Sequence, residues 1–319
     1  EKVKKQFEIF INDFKNAKTC LEALQILKKV FKYEDNLVTE LTVISIRFSV
    51  NTLDKKIANA NNKADEISPI ISDICNDFNL ELLNSPFKNE LENKLGKHYF
   101  DILEVNKKIF SKQIIPDLIE ENKLINMYDS LLASAQIEFQ GEVRNLTQLG
   151  KFMSSANRET RLEAAKLYYG FLKDNDEKIG NIYDQLVHLR TNMALKLGFK
   201  SYTELAYLRL TRLDYTPEMV EEYRKQIYEY VVPQVAKLMK EQSIRINIKN
   251  PLFVDYNLKF LSGNPVPKGN INDLVSAASK MYHEMSKETG EFFDYLVDNH
   301  YMDLEAKKGK MGGGYMTYL

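Results

Sequence analysis

Apolar residues recur along most of this chain at spacings of three and four, the repeat of a helix that buries one face. Leu21, Leu24, Leu27 and Phe31 follow Thr19-Cys-Leu-Glu22, a capping box whose side-chain oxygens satisfy amides that a first helical turn leaves unpaired. Leu37, Leu41, Ile44 and Phe48 continue the pattern and predict one long amphipathic helix over residues 36–61. Ser68-Pro69 and Ser85-Pro86 each place a capping serine before a proline suited to the first helical position, and Gly96 closes the second of these helices. Residues 1–122 therefore read as an N-terminal bundle of antiparallel helices.

A second helical unit follows, over residues 123–319. Leu162, Ala165, Tyr169 and Leu172 mark one face of a helix from Glu159 to Lys173. Ile179, Ile182, Leu186, Leu189, Met193 and Leu197 mark another that ends at Gly198. Ser201-Tyr-Thr-Glu204 is a further capping box, and Thr216-Pro217 starts a helix long enough to require a kink at Pro233. Leu261-Ser-Gly-Asn-Pro-Val-Pro-Lys-Gly269 is a loop, and one or two helices run from about Ile271 to Asn299. Strand character is confined to the final stretch. The fold class expected is mainly α, an elongated multi-helix bundle with a small β element near the C-terminus.

Composition narrows the function classes. The chain has 319 residues, 44% hydrophobic and 28% charged, with only 13 glycines and 8 prolines, which suits a folded protein of long helices. That length predicts two domains, or one extended helical domain with an appendage. Its 44 basic and 45 acidic residues leave a net charge of −1, so nothing in the global charge favours nucleic acid or an anionic membrane. No apolar run is long enough to span a membrane and no signal-peptide pattern opens the chain, so the expected compartment is the cytoplasm. The first residue is Glu1, which suggests numbering that begins inside a longer gene product. Cys20 and Cys75 sit on apolar helix faces, where burial is expected, with a disulfide or reactive thiol as the alternative. The 18 tyrosines and 17 phenylalanines fall mostly at helical core spacing and are assigned to packing.

Catalytic templates are missing. A zincin site requires two histidines four apart on one helix with a glutamate between them. His98, His188, His283 and His300 do not supply it: His283-Glu284 opens the motif, but Lys287 stands where the second histidine belongs. His283, Glu284 and His188 are read as helix-face residues, with ligand contact left open for His188. There is no G-x-S-x-G elbow, P-loop or G-x-G-x-x-G. Glu120-Glu121 and Glu221-Glu222 are read as solvated charges, because adjacent helical residues point in different directions. No catalytic residue and no metal ligand is assigned within this segment.

Lys307, Lys308 and Lys310 lead into three consecutive glycines and then Tyr315 to Leu319. Bare glycine backbone lets another chain approach and exchange main-chain hydrogen bonds, as at a sheet edge. The lysines either attract an acidic peptide side chain or form a solvated turn that keeps this edge from pairing. This stretch resembles the segment that precedes the zinc motif in oligoendopeptidase F and its thimet-oligopeptidase-like relatives. The likeness extends to Tyr128–Tyr230, including Gly198-Phe-Lys-Ser-Tyr-Thr-Glu-Leu205 and Leu210-Thr-Arg-Leu-Asp-Tyr-Thr-Pro217, and to Met281-Tyr-His-Glu-Met-Ser-Lys-Glu-Thr-Gly-Glu-Phe-Phe-Asp294. The first hundred residues match only as a helical preamble.

The resemblance implies the N-terminal portion of a zinc-dependent oligoendopeptidase, whose His-Glu-x-x-His helix would follow beyond Leu319. It implies zinc in the full-length protein and none bound here. It further implies that Gly312, Gly313, Gly314, Tyr315 and Met316 pair with the backbone of a short extended peptide while the helices wall a channel. Met316 departs from the pattern, which leads one to expect a cysteine or another small residue. Self-association, or association with the missing C-terminal half, is expected of the segment alone. The missing motif taken at face value leaves the alternative of a non-catalytic helical protein that binds peptides or a partner.

Overall fold

The computed structural model describes all residues from Glu1 to Leu319, and the fold is mainly α as expected. Short breaks join the first helices: α1 (Lys2–Asn16), α2 (Cys20–Val50), α3 (Lys55–Leu83), α4 (Lys88–Leu95), α5 (Lys97–Ile109) and α6 (Ile115–Ala133).

The stripe that α2 buries is Cys20, Ala23, Leu27 and Val30; of the expected row Leu27 is fully buried, Leu24 and Phe31 pack partly buried against the same core, and Leu21 is exposed. The single helix expected over residues 36–61 is instead broken at Asn51–Asp54. Asn51 leaves helical geometry at φ −152°, and the Asp54 carboxylate accepts from the amides of Lys56 and Ile57 to start α3.

Ser68-Pro69 does not open a helix, because Pro69 is buried inside α3. A proline there cannot donate to the carbonyl four residues back, that of Asp65. That carbonyl accepts instead from Asn122 Nδ2 of α6 at 3.3 Å, and the Asp65 carboxylate accepts from Asn61 at 2.7 Å and Asn126 at 2.6 Å. Gly96 closes α4 as expected, at φ +94°.

The strands lie elsewhere than the sequence suggests. β1 (Ile137–Phe139) and β2 (Glu142–Arg144) form an antiparallel hairpin with Phe139 opposite Glu142. Gln140 and Gly141, both at positive φ, supply the tight turn. Residues 311–319 have no strand partner, so the β element expected near the C-terminus is not formed there.

The remaining helices are α7 (Leu146–Gly150), α8 (Arg158–Asp174), α9 (Asp176–Lys196), α10 (Tyr202–Arg209), α11 (Pro217–Gln226), α12 (Val232–Arg245), α13 (Ile271–Met285) and α14 (Lys287–Asp298). Where a kink is expected at Pro233, a π turn at Ile227–Val231 ends the preceding helix and Pro233 falls in the first turn of α12, where its missing amide proton is tolerated. Ser201 and Thr216 cap α10 and α11 through the amides of Glu204 and Met219.

The chain divides into two compact units. One comprises residues 1–132, 175–227 and 314–319; the other comprises residues 133–174 and 228–313. The first unit holds a core of Phe7, Phe10, Phe14, Leu27, Phe78 and Leu82, whose rings meet edge to face. Burying each such side chain contributes about 1.5–3 kcal/mol. A smaller cluster in the same unit packs Ile114, Met193, Ala194 and Leu205. The second unit is centred on Phe139, Leu149, Met153, Ala164, Ala165 and Val254.

Each unit also buries one carboxylate between two arginines. In the first, Glu121 accepts from Arg190 at 2.6 Å and Arg209 at 2.7 Å. In the second, Asp255 accepts from Arg158 at 2.8 Å and from the fully buried Arg161 at 2.7 Å. Glu121 is thus no solvated charge, contrary to expectation. Its neighbour Glu120 does pair with Lys123 at the surface.

Candidate peptide-binding segment

In the second unit, the approach to the glycine run is held from two sides. Asn145 and Gln148 form the capping box of α7, and their amide groups also donate to the carbonyls of Lys307, at 3.1 Å, and Ala306, at 3.4 Å. Asp303 pairs with both Lys307 and Lys310, and Lys310 also donates to the Glu305 carbonyl at 2.9 Å. These hydrogen bonds from Lys307 and Lys310 keep the Asp303 carboxyl below the usual carboxylate range. Two of the three lysines are therefore committed to an internal clamp, which disfavours their serving as a free lure for acidic peptides.

Gly312 and Gly313 end this unit's share of the candidate site. A methyl group on Gly312 would meet Thr147 Oγ1 at 3.7 Å, an ordinary contact, whereas Gly313 is surrounded by open space. Its φ of +83° is one that other residues adopt only under strain.

Gly314, Tyr315 and Met316 belong to the first unit. A methyl group on Gly314 would have nothing within 4 Å, and Met316 is 73% exposed. The Tyr315 hydroxyl reaches Ser49 Oγ, at the end of α2, at 2.6 Å. The structure thus leaves the backbone accessible while it fastens one side chain.

The histidines do not come together. His188 bonds its own helix at the Asp184 carbonyl, 2.9 Å away. His283 is fixed across the α13–α14 pair, with Nε2 2.9 Å from Asp294 Oδ2. It lies on the exposed face of α13 as expected, and in addition bonds α14. A Cβ on Gly290 would run into the His283 ring at Nδ1, so that ring must shift for any larger residue to fit. Gly290→Ala is therefore expected to gain less than the roughly 1 kcal/mol that alanine ordinarily brings to a helix interior, and to recover that gain when His283→Ala is added. Thermal unfolding of the single and double variants decides, and equal effects of Gly290→Ala with and without His283 would refute the contact.

No group of three or more His, Cys, Asp or Glu side chains is placed to hold a metal ion. The residues present therefore do not fit a zinc site. Both cysteines are free, and burial pushes their thiols up, Cys75 to about 12 with Glu34 adding to the effect. Such thiols are protonated near neutrality, which disfavours the reactive alternative.

The expectation that the aromatics are mostly packed holds for the phenylalanine core but not for many tyrosines. Tyr183, Tyr223, Tyr228, Tyr230 and Tyr318 are each more than 60% exposed. Sequence reasoning also misses Ser49 and Asp303. Asn145 with Gln148 is legible as a capping pattern, whereas Ser49, a small residue inside an apolar run, gives no signal of its distant partner.

Residues 1–110 match the Peptidase M3 N-terminal domain. A crystal structure described as an oligoendopeptidase F from Bacillus anthracis superposes with a TM-score of 0.97 at 42% identity, over 99% of this chain and 58% of that one. The chain belongs to the oligoendopeptidase F-like M3 peptidase family. PZ peptidase A, solved with an inhibitor, superposes equally well at 40% identity, over 99% of this chain and 56% of its own. An oligoendopeptidase F from Enterococcus faecium, at 12% identity and a TM-score of 0.63, shares the fold alone. The chain spans little more than half the length of the first two oligoendopeptidase-like structures. No curated protein sequence matches. No helix is long and apolar enough to cross a membrane.

Proposed function

We propose that this chain is part of a zinc-dependent oligoendopeptidase that hydrolyses short peptides, and that it supplies binding surface rather than the reacting groups. Gly312, Gly313, Gly314, Tyr315 and Met316 would pair through their backbone with an extended peptide. The observation that carries this reading is the open main chain at Gly313 and Gly314, next to an exposed Met316. Family membership supports the substrate class, and the lack of a donor set in this stretch means that zinc would depend on residues outside it.

Two unpaired cysteines suit a reducing compartment, so we place the protein in the cytoplasm. Exposed Leu238, Met281, Met285 and Tyr295 in the second unit give it apolar surface for self-association or for the remainder of a longer protein.

The test is peptide binding and cleavage by the purified chain. A fluorescein-labelled nonapeptide of alanine and serine is expected to bind without being cut, with no stoichiometric zinc in the protein. Chelator-sensitive hydrolysis would overturn the assignment of the reacting groups elsewhere. Peptide binding without zinc or cleavage in the longest expressible form would favour the non-catalytic binder.

A further inference from the structure

Ser49 is nearly buried at the last turn of α2, and its hydroxyl donates to the Ile46 carbonyl at 2.8 Å. A serine hydroxyl has a single proton, so that bond commits it. The Tyr315 hydroxyl, 2.6 Å from Ser49 Oγ, must then be the donor of the second bond, with Ser49 as acceptor.

We propose that Ser49 is a positioning residue for the peptide-pairing segment: by accepting the Tyr315 proton it fixes the stretch Gly314–Met316 in place before a peptide arrives. The inference rests on the backbone-pairing reading above. Its physical basis is that, within this chain, little else holds the stretch: Gly314 has no side chain to pack, and Met316 is 73% exposed.

A free segment of this kind loses backbone entropy when it pairs with a ligand, and an anchor made beforehand lowers that cost. Met316, 73% exposed, is left free to shape a subsite, while the proton accounting leaves the phenol oxygen of Tyr315 able to accept from a ligand amide.

The experiment uses the full chain, with Ser49→Ala, Ser49→Thr, Tyr315→Phe and the double variant S49A/Y315F. Two quantities are measured: amide hydrogen exchange of residues 314–319, and affinity for the fluorescein-labelled alanine–serine nonapeptide by anisotropy. A single neutral hydrogen bond accounts for about a five-fold effect. Ser49→Ala and Tyr315→Phe are each expected to weaken binding by about that factor and to speed exchange in 314–319. The double variant should be no worse than either alone, and Ser49→Thr, which keeps the hydroxyl, should restore both.

Losses that multiply in the double variant would overturn the proposal, as would wild-type affinity in both single variants. Failure of the wild-type chain to bind the peptide overturns the pairing reading itself, and is told apart from failure of the anchor because it precedes any substitution. Tyr315 is largely exposed, so Tyr315→Phe tests the bond even if the change at Ser49 perturbs the end of α2.

Discussion

Asp255→Ala will destabilise the second unit by about 3–5 kcal/mol, because it leaves the guanidinium of Arg161 buried without its counter-charge. The geometry makes this severe. Asp255 and Arg161 are both fully buried, and the carboxylate also accepts from the Leu252 amide at 2.9 Å. Denaturant unfolding followed by hydrogen exchange in residues 133–174 and 228–313 measures the effect, and a loss below about 1 kcal/mol would show that the charge is not needed. Replacing the buried pair together, with Asp255→Leu and Arg161→Met, should cost less than Asp255→Ala, since the one charge left without its partner, Arg158, is 43% exposed and can return to water.

The same site fixes a pH dependence. Hydrogen bonds from Arg158, then from Arg161 and the Leu252 amide, outweigh burial and hold the Asp255 carboxyl well below its ordinary range. A depressed folded pKa contributes stability that is complete above the unfolded value of about 3.9 and is lost as pH falls from there toward the folded value. Wild type and Asp255→Ala should therefore converge in stability as the solution is acidified below about pH 4, and stay apart from there to neutrality.

Glu121→Ala is the second large effect, and it falls on the first unit. Burial pushes this carboxyl up, but hydrogen bonds from Arg209 and Arg190 more than reverse that and leave it lowered. The two arginine side chains are 29% and 32% exposed, so they recover some hydration when their partner is removed. The expected loss is therefore at the lower end, about 3 kcal/mol. It too should fade as pH drops below the unfolded glutamate value of about 4.3. Urea titrations of wild type and Glu121→Ala at pH 7 and pH 3 check both statements, and a gap that widens in acid would contradict them. Because the two carboxylates share no partner, combining Glu121→Ala with Asp255→Ala should give additive losses.

Much of the helical framework was legible from local chemistry. Thr19, Ser201 and Thr216 cap the helices that their positions foretold, and Gly96 ends α4. Local signals mislead where a distant group decides the outcome. Ser68-Pro69 has the form of a helix start, yet α3 passes through it because α6 supplies a donor. The hairpin at residues 137–144 escapes a reading by periodicity, although Gln140-Gly141 between apolar residues is a turn signal, because each strand is only three residues long.

The candidate segment shows the same division. Three glycines announce an accessible backbone, and the geometry of Gly313 and Gly314 agrees with that. The lysines beside them carry a charge pattern but no indication that Asp303 pairs with two of them. Periodicity likewise marks which residues are apolar without showing which carboxylate faces inward, so Glu121 is indistinguishable from Glu120 in the sequence.

The bond from Asn122 to the Asp65 carbonyl couples two positions far apart in the chain. Pro69 leaves that acceptor without a helical donor, so removing the carboxamide at residue 122 would leave it without the partner that α6 supplies, while a residue with an amide proton at position 69 would make that carboxamide dispensable to it.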